Sequence, residues 1–196
     1  MFSGIIEKKG KLVDRKKQGR QIAFTVETTA WEKPLKRGES ISVNGVCLTV
    51  VSTRKNQFTV QAVPETLAQT TLAQTQLKET LNLERSLICG DRIGGHFVLG
   101  HVDGVGQVIR KKSNGKSFNL EIEIPISVLA FLVPKGSIAV EGISLTIQNI
   151  GKQSIQIAVI PHTAKTTTLG SKKIGDLVNL EADVLSKHLV RLVQSK

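Results

Sequence analysis

Asn44-Gly45-Val46-Cys47-Leu48-Thr49-Val50 can be laid over Glu141-Gly142-Ile143-Ser144-Leu145-Thr146-Ile147 at a spacing of 142 − 45 = 97 residues. Two further blocks keep that spacing. Pro64-Glu65-Thr66-Leu67-Ala68-Gln69-Thr70-Thr71-Leu72 resembles Pro161-His162-Thr163-Ala164-Lys165-Thr166-Thr167-Thr168-Leu169 at 161 − 64 = 97. Leu81-Asn82-Leu83-Glu84 matches Val178-Asn179-Leu180-Glu181 at 178 − 81 = 97. Ser3-Gly4-Ile5-Ile6-Glu7 faces Leu99-Gly100-His101-Val102-Asp103 at 99 − 3 = 96, so that Ile5 stands opposite His101. Four blocks in one order at nearly one spacing define an internal repeat. The chain is therefore two related halves, each of a size that fits a compact domain, followed by a tail.

Each half reads as all-β. Phe118, Leu120, Ile122 and Ile124 alternate with polar residues, the period of a half-buried strand. Phe58–Ala62 and Ile155–Val159 do the same. Ser40–Val43 and Val46–Val50 flank Asn44-Gly45, a hairpin turn signal. Turns recur at intervals that suit a small sandwich or barrel, and closure into a barrel removes exposed strand edges. Short helices are expected after Pro64 and Pro161, where proline suits a first turn, and at Ser127–Leu132. In the tail, Val184, Leu185, His188, Leu189, Leu192 and Val193 recur at three- and four-residue steps, an amphipathic helix. Such a short helix is marginal alone, and its apolar stripe makes a partner subunit a serious candidate. The expected boundaries are 1–96 and 97–184 for the two halves and 185–196 for the tail helix.

Composition narrows the function classes. With 196 residues, 40% hydrophobic and 22% charged, the chain is ordinary globular material rather than disordered. No apolar run approaches the roughly 18 residues of a membrane span, and the N-terminus lacks the pattern of a secretion signal. Two cysteines, Cys47 and Cys89, are too few for a disulfide scaffold and suit free thiols in the cytosol. The net charge of +11 falls in short runs: Lys8–Lys11, Arg15–Lys17, Arg110–Lys112 and Lys172–Lys173. Each lies beside turn-forming residues and reads as solvated loop charge. A nucleic-acid surface would add stacking aromatics, but aromatics are 4%, tyrosine is absent and Trp31 is alone.

Gly94-Gly95-His96-Phe97-Val98-Leu99-Gly100-His101-Val102-Asp103 joins the halves. Flanking glycines let backbone approach a ligand, and histidine suits proton transfer near neutral pH. The same histidines also suit structural hydrogen bonding within a linker. Their spacing fits no usual zinc set, and neither cysteine lies in a Cys-x-x-Cys pair, so no metal site is expected. Cys47 and Ser144 hold one place in the repeat, each with a threonine (Thr49, Thr146) on the same strand face. They read either as two equivalent ligand pockets or as ordinary strand residues.

The repeated blocks, with Met1-Phe2-Ser3-Gly4-Ile5, Asn82-Leu83-Glu84-Arg85, the 94–103 linker, Lys135-Gly136-Ser137-Ile138-Ala139-Val140 and Ile160-Pro161-His162-Thr163, resemble riboflavin synthase of the α-chain type nearly end to end. Ser3 departs from the family's more common threonine but keeps the hydroxyl. The resemblance implies two similar six-stranded Greek-key barrels and a homotrimer held by the C-terminal helix. It implies a reaction without cofactor or metal. Two molecules of 6,7-dimethyl-8-ribityllumazine dismutate by four-carbon transfer, giving riboflavin and 5-amino-6-ribitylaminouracil. A related, non-catalytic alternative is a lumazine- or flavin-binding antenna protein. The candidate catalytic residues are Ser40, Cys47, His96 and His101. Substrate contacts are implied for Gly4, Ile5, Ile6, Cys47, Leu48, Thr49, Gly100, His101, Val102, Lys135, Ser144, Leu145 and Thr146. The ribityl chain is assigned to Gln61, Ala62, Val63, Pro64, Glu65 and Thr66, and to Ile160, Pro161, His162, Thr163, Ala164 and Lys165. Lumazine synthase is an expected associate, the location is expected to be cytoplasmic, and no nucleic acid or membrane partner is expected.

Overall fold

The structure, a computed structural model, describes residues 1–194; the last two residues of the expected tail helix lie outside the described residues. The first half forms β1 (Lys8–Gln18), β2 (Gln21–Thr28), β3 (Ser40–Val43), β4 (Val46–Arg54), β5 (Gln57–Ala62) and, after helix α1 (Pro64–Gln69), β6 (Thr80–Arg85). They close into an antiparallel barrel in the order β1-β2-β5-β4-β3-β6. The second half repeats the pattern with β7 (Gly104–Asn114), β8 (Ser117–Glu123), helix α2 (Ile126–Leu129), β9 (Ser137–Val140), β10 (Ile143–Ile150), β11 (Ser154–Val159), helix α3 (Pro161–Thr166) and β12 (Leu177–Ala182). Its closed order, β7-β8-β11-β10-β9-β12, is the same path. In both barrels three hairpin-connected strands run beside a fourth reached by a longer connection, the Greek-key arrangement.

Alternation explains the closure. Ile41, Val43, Val46, Leu48, Val50, Val60 and Leu83 point inward and fill the first barrel. Ile138, Val140, Ile143, Ile147, Ile157 and Leu180 fill the second. Even the irregularities repeat: the register slips between Leu12 and Asp14 and again between Val108 and Arg110. Another pair of slips separates Val50 from Ser52 and Ile147 from Asn149. Such bulges bend a strand, as barrel closure requires.

The barrels meet around the two repeated turns. Asn44 and Gly45 have φ of 47° and 81°, and Glu141 and Gly142 have 53° and 78°, the left-handed pairs that a tight hairpin needs. The glycines stand back to back. A Cβ on Gly45 would lie 2.6 Å from the Gly142 nitrogen, and one on Gly142 2.7 Å from the Gly45 nitrogen. Asn82 and Asn179 lock this contact. Asn82 Nδ2 donates to the Glu141 carbonyl at 3.0 Å, and its Oδ1 accepts from the Thr168 amide at 2.8 Å. Asn179 Nδ2 donates to the Asn44 carbonyl at 2.9 Å, and its Oδ1 accepts from the Thr71 amide at 2.8 Å.

Three local expectations change. Lys8–Lys11, Arg15–Lys17 and Arg110–Lys112 lie on β1 and β7 rather than in loops. Outward strand positions accept long cationic side chains as readily as loops do, so composition alone does not separate the two. Lys172 is only 14% exposed, its Nζ 3.0 Å from Oε2 of the fully buried Glu141. The short helix expected over 127–132 is one turn at Ile126–Leu129. The tail forms helix α4 (Val184–Gln194), on which Leu185, Leu189 and Leu192 remain 58%, 62% and 67% exposed within one chain. Among the described residues, no helix is long and apolar enough to cross a membrane.

Candidate active site

Because Val46, Leu48 and Val50 fill the first barrel, Cys47 and Thr49 must stand on its outer wall. Ser40 pairs with Thr49 and Ser42 with Cys47 across β3 and β4, so the polar row is continuous. In the second barrel Ser137 pairs with Thr146 and Ala139 with Ser144. These polar candidates thus flank the barrel walls rather than enter the filled interiors.

Two chain segments cover these rows. Phe2 and Val98 form an isolated antiparallel bridge, with the Phe2 amide 2.7 Å from the Val98 carbonyl and the Val98 amide 3.1 Å from the Phe2 carbonyl. Phe2 and Val98 are fully buried, packed with Ala139 and partly buried Cys47. Beyond this bridge the segments diverge. The Gly100 carbonyl accepts from the Cys47 amide at 2.9 Å, and the Gly4 carbonyl accepts from the Ser144 amide at 2.8 Å. Both glycines have φ +77°, and a Cβ on either would lie 2.5 or 2.6 Å from the Cβ of its opposite residue. Only glycine satisfies both demands.

The consequence is a crossing that the repeat does not reveal. Gly100, His101 and Val102, from the second half, line a cavity of about 220 Å³ with Val46, Cys47, Glu65, Thr66, Gln69 and Thr70 of the first. Ile6, from the first half, packs with Leu145 and Ala164 against the second barrel's core. The repeat sets Ile5 opposite His101 as counterparts in their own halves, yet His101 lies at the first barrel, while Ile5 borders a cavity with Trp31, Glu84 and Arg85 of its own half and only its neighbour Ile6 reaches the second barrel's core. The linker also divides its histidines. His101 borders the Cys47 cavity, whereas His96 is buried with Nδ1 2.7 Å from Ser144 Oγ, and its amide donates to the Ser3 carbonyl at 3.2 Å. Burial holds the His96 imidazole below its ordinary pKa, with the Asp183 carboxylate pulling it back up.

Of the remaining candidates, Leu48 and Ala62 point into the first barrel's core. Gln61 accompanies the β1–β2 hairpin, its Nε2 2.6 Å from Gln18 Oε1. Val63 and Ile160 cap α1 and α3 from outside, and Pro64 and Pro161 open those helices. His162, Thr163 and Lys165 follow on α3, where the Lys165 carbonyl accepts from Lys9 Nζ of the first barrel at 2.8 Å. Lys135 is exposed in the turn before β9, its amide donating to the Ile147 carbonyl at 3.0 Å. Cys47 and Cys89 are free thiols. Among the described residues no cluster of three His, Cys, Asp or Glu side chains is placed to hold a metal ion.

Sequence reasoning passed over Glu84 and Glu181, although both stand in a repeated block. Glu84 accepts from the Ser3 amide at 2.7 Å, the Ser3 hydroxyl at 2.8 Å and the Gly4 amide at 3.1 Å. Glu181 accepts from the amides of Leu99, Gly100 and His101 at 2.7, 2.9 and 3.0 Å. Burial raises the pKa of both carboxyls against these hydrogen bonds, that of Glu181 to about 7.

The lumazine binding domain matches the chain twice, over residues 3–86 and 99–183. The chain is 40% identical to riboflavin synthase of Actinobacillus pleuropneumoniae, across 100% of this chain and 91% of that protein. It is 40% identical to riboflavin synthase of Bacillus subtilis (strain 168), across 98% and 90%. Among solved structures, LumP complexed with riboflavin superposes with a TM-score of 0.84 at 23% identity, covering 93% of this chain and 99% of LumP. LumP complexed with 6,7-dimethyl-8-(1'-D-ribityl) lumazine gives 0.81 at the same identity and coverage. At that identity LumP supports the fold alone, whereas the doubled domain and the full-length 40% matches carry the assignment: the chain belongs to the riboflavin synthase family.

Proposed function

We propose that the chain is a transferase that makes riboflavin from two molecules of 6,7-dimethyl-8-ribityllumazine. One molecule gives up a four-carbon unit to the other, and 5-amino-6-ribitylaminouracil leaves. The observation that carries this reading is a pair of sites alike in backbone and unlike in chemistry: Cys47 with His101, and Ser144 with His96. A reaction between two copies of one substrate needs matching cradles, and distinct donor and acceptor roles need different side chains within them.

The 7-methyl protons of the lumazine are acidic because the carbanion delocalises into the ring, so a base of modest strength suffices. The larger task is orienting two bulky rings, worth up to roughly 7–11 kcal/mol in ideal cases. In this reading the 4–6 and 100–102 backbones meet the ring edges, and the starts of α1 and α3 hold the ribityl chains. His101 and Ser40 handle the proton and activate the acceptor ring, and Cys47 stands beside that ring. The uncovered leucines of α4 support a homotrimer, in which the first barrel of one subunit faces the second barrel of its neighbour. A cytoplasmic setting and docking to lumazine synthase belong to the same reading.

The test is incubation with 6,7-dimethyl-8-ribityllumazine alone, following riboflavin fluorescence. Riboflavin formed on successive turnovers supports the enzyme. Tight binding of the lumazine without conversion overturns it in favour of the antenna type.

A further inference from the structure

We infer that Glu84 and Glu181 are crossed positioning residues: each is rooted in one barrel and sets the backbone that shapes the other barrel's site. The inference deepens the reading above and rests on it for the identity of the ligand. Glu181 closes β12 of the second barrel, yet the three amides it holds belong to Leu99, Gly100 and His101. That run carries Gly100 onto Cys47 and His101 into the Cys47 cavity. Glu84 lies on β6 of the first barrel, yet it holds Ser3 and Gly4. Their carbonyls accept from His96 and Ser144, the polar pair at the second barrel.

Both carboxylates are almost fully buried, at 3% exposure for Glu84 and 2% for Glu181. Burying an acid is costly, and a neutral strand residue would serve the barrel wall better. What a carboxylate adds is acceptor capacity. Two oxygens with no donor of their own can receive three converging amides, and charge assistance strengthens each bond. A glutamine has the same shape but only one acceptor oxygen, and its NH2 would face a backbone amide. Glu181→Gln therefore leaves either Leu99 or the Gly100–His101 pair without an acceptor.

The experiment uses the full chain at pH 8.5, above the raised pKa of Glu181 so that its carboxylate is ionised, in a Cys89→Ser background, leaving Cys47 as its only thiol. Iodoacetamide alkylation reads the first site, and the ¹⁵N resonances of the His96 ring read the second. Neither readout needs the lumazine. Glu181→Gln should speed Cys47 alkylation about tenfold, as expected for losing one charge-assisted hydrogen bond, and leave the His96 signals in place. Glu84→Gln should shift the His96 signals and leave alkylation unchanged. Equal effects of both variants on both reporters mean general loosening through the Phe2–Val98 bridge and overturn the inference, as does no effect of either. If Glu181→Gln fails to fold, amide exchange in the unsubstituted protein decides: Leu99, Gly100 and His101 must exchange slowly, and rapid exchange overturns the clamp. Riboflavin formation with unchanged reporters would preserve the proposed function while removing this inference from it.

Discussion

His96 and Ser144 touch side chain to side chain, Nδ1 to Oγ at 2.7 Å, with Gly95 so close that a Cβ there would lie 2.6 Å from the serine's own. His96 is only 9% exposed, and burial lowers its pKa. A histidine held below its unfolded pKa contributes stability that is present above pH 6.5 and is lost as the pH falls through the folded value. The stability difference between the unsubstituted protein and His96→Asn, from urea unfolding, should therefore shrink from pH 7.5 towards pH 5. Ser144→Ala should cost about 1 kcal/mol at pH 7.5, the usual net worth of a buried hydrogen bond.

Glu181 has the opposite sign. Burial raises its pKa from 4.5 to about 7, Asp103 adds to the rise, and the Leu99 and Gly100 amides and Lys187 oppose it. Its contribution is full below pH 4.5 and disappears as the pH climbs through about 7. Urea unfolding of the protein against Glu181→Gln at pH 5 and pH 8 should show a relative loss on the order of 2–3 kcal/mol in the unsubstituted protein. A difference independent of pH would contradict the assignment.

Glu141 and Lys172 form a buried ion pair where the first half has Asn44 and Thr75, at offsets of 141 − 44 = 97 and 172 − 75 = 97. Lys172→Met strands the glutamate and should cost about 3 kcal/mol. Copying the first half with Glu141→Asn and Lys172→Thr together should recover most of that loss. Asparagine also tolerates the left-handed backbone better than glutamate, whose φ here is 53°. Thermal melts of the single and double variants decide the matter.

Helix α4 is tied to its own chain at its start, where Lys187 Nζ lies 2.9 Å from both Asp103 oxygens. Its leucine stripe is not covered within that chain. If that stripe holds the proposed homotrimer, deleting residues 186–196 should shift the mass measured by light scattering from trimer towards monomer while the barrels still melt cooperatively. An unchanged trimer would refute the role of the tail.

If the working site forms between neighbouring subunits, Cys47→Asp and Ser144→Asp chains should each be inactive alone. Co-refolded, they should regain part of the activity, because some junctions pair two intact sites. No recovery above the parents would place the site within one chain.

The barrels were legible because their signals are local. Period-two alternation marks Phe118–Ile124, Asn44-Gly45 names its own turn, and the 97-residue offset needs only comparison of the chain with itself. The crossing was not legible, because alignment pairs Gly4 with Gly100 by descent and says nothing about which barrel each leans on. Glu84 and Glu181 were hidden for another reason. At the ends of β6 and β12 the alternation fails: Asn82, Leu83 and Glu84 are all buried, as are Asn179, Leu180 and Glu181. A carboxylate in such a run reads as a surface residue until the amides that converge on it are seen.

Gly45 and Gly142 constrain the history of the molecule as well as its shape. Since neither can take on a side chain unless the other's backbone yields, a change in one copy of the duplicated segment is vetoed by the other copy. At other positions the copies differ, with thiol and hydroxyl at 47 and 144 and isoleucine and histidine at 5 and 101. Duplication thus gave this lineage two cradles to specialise separately, provided that the point where they touch stayed bare in both.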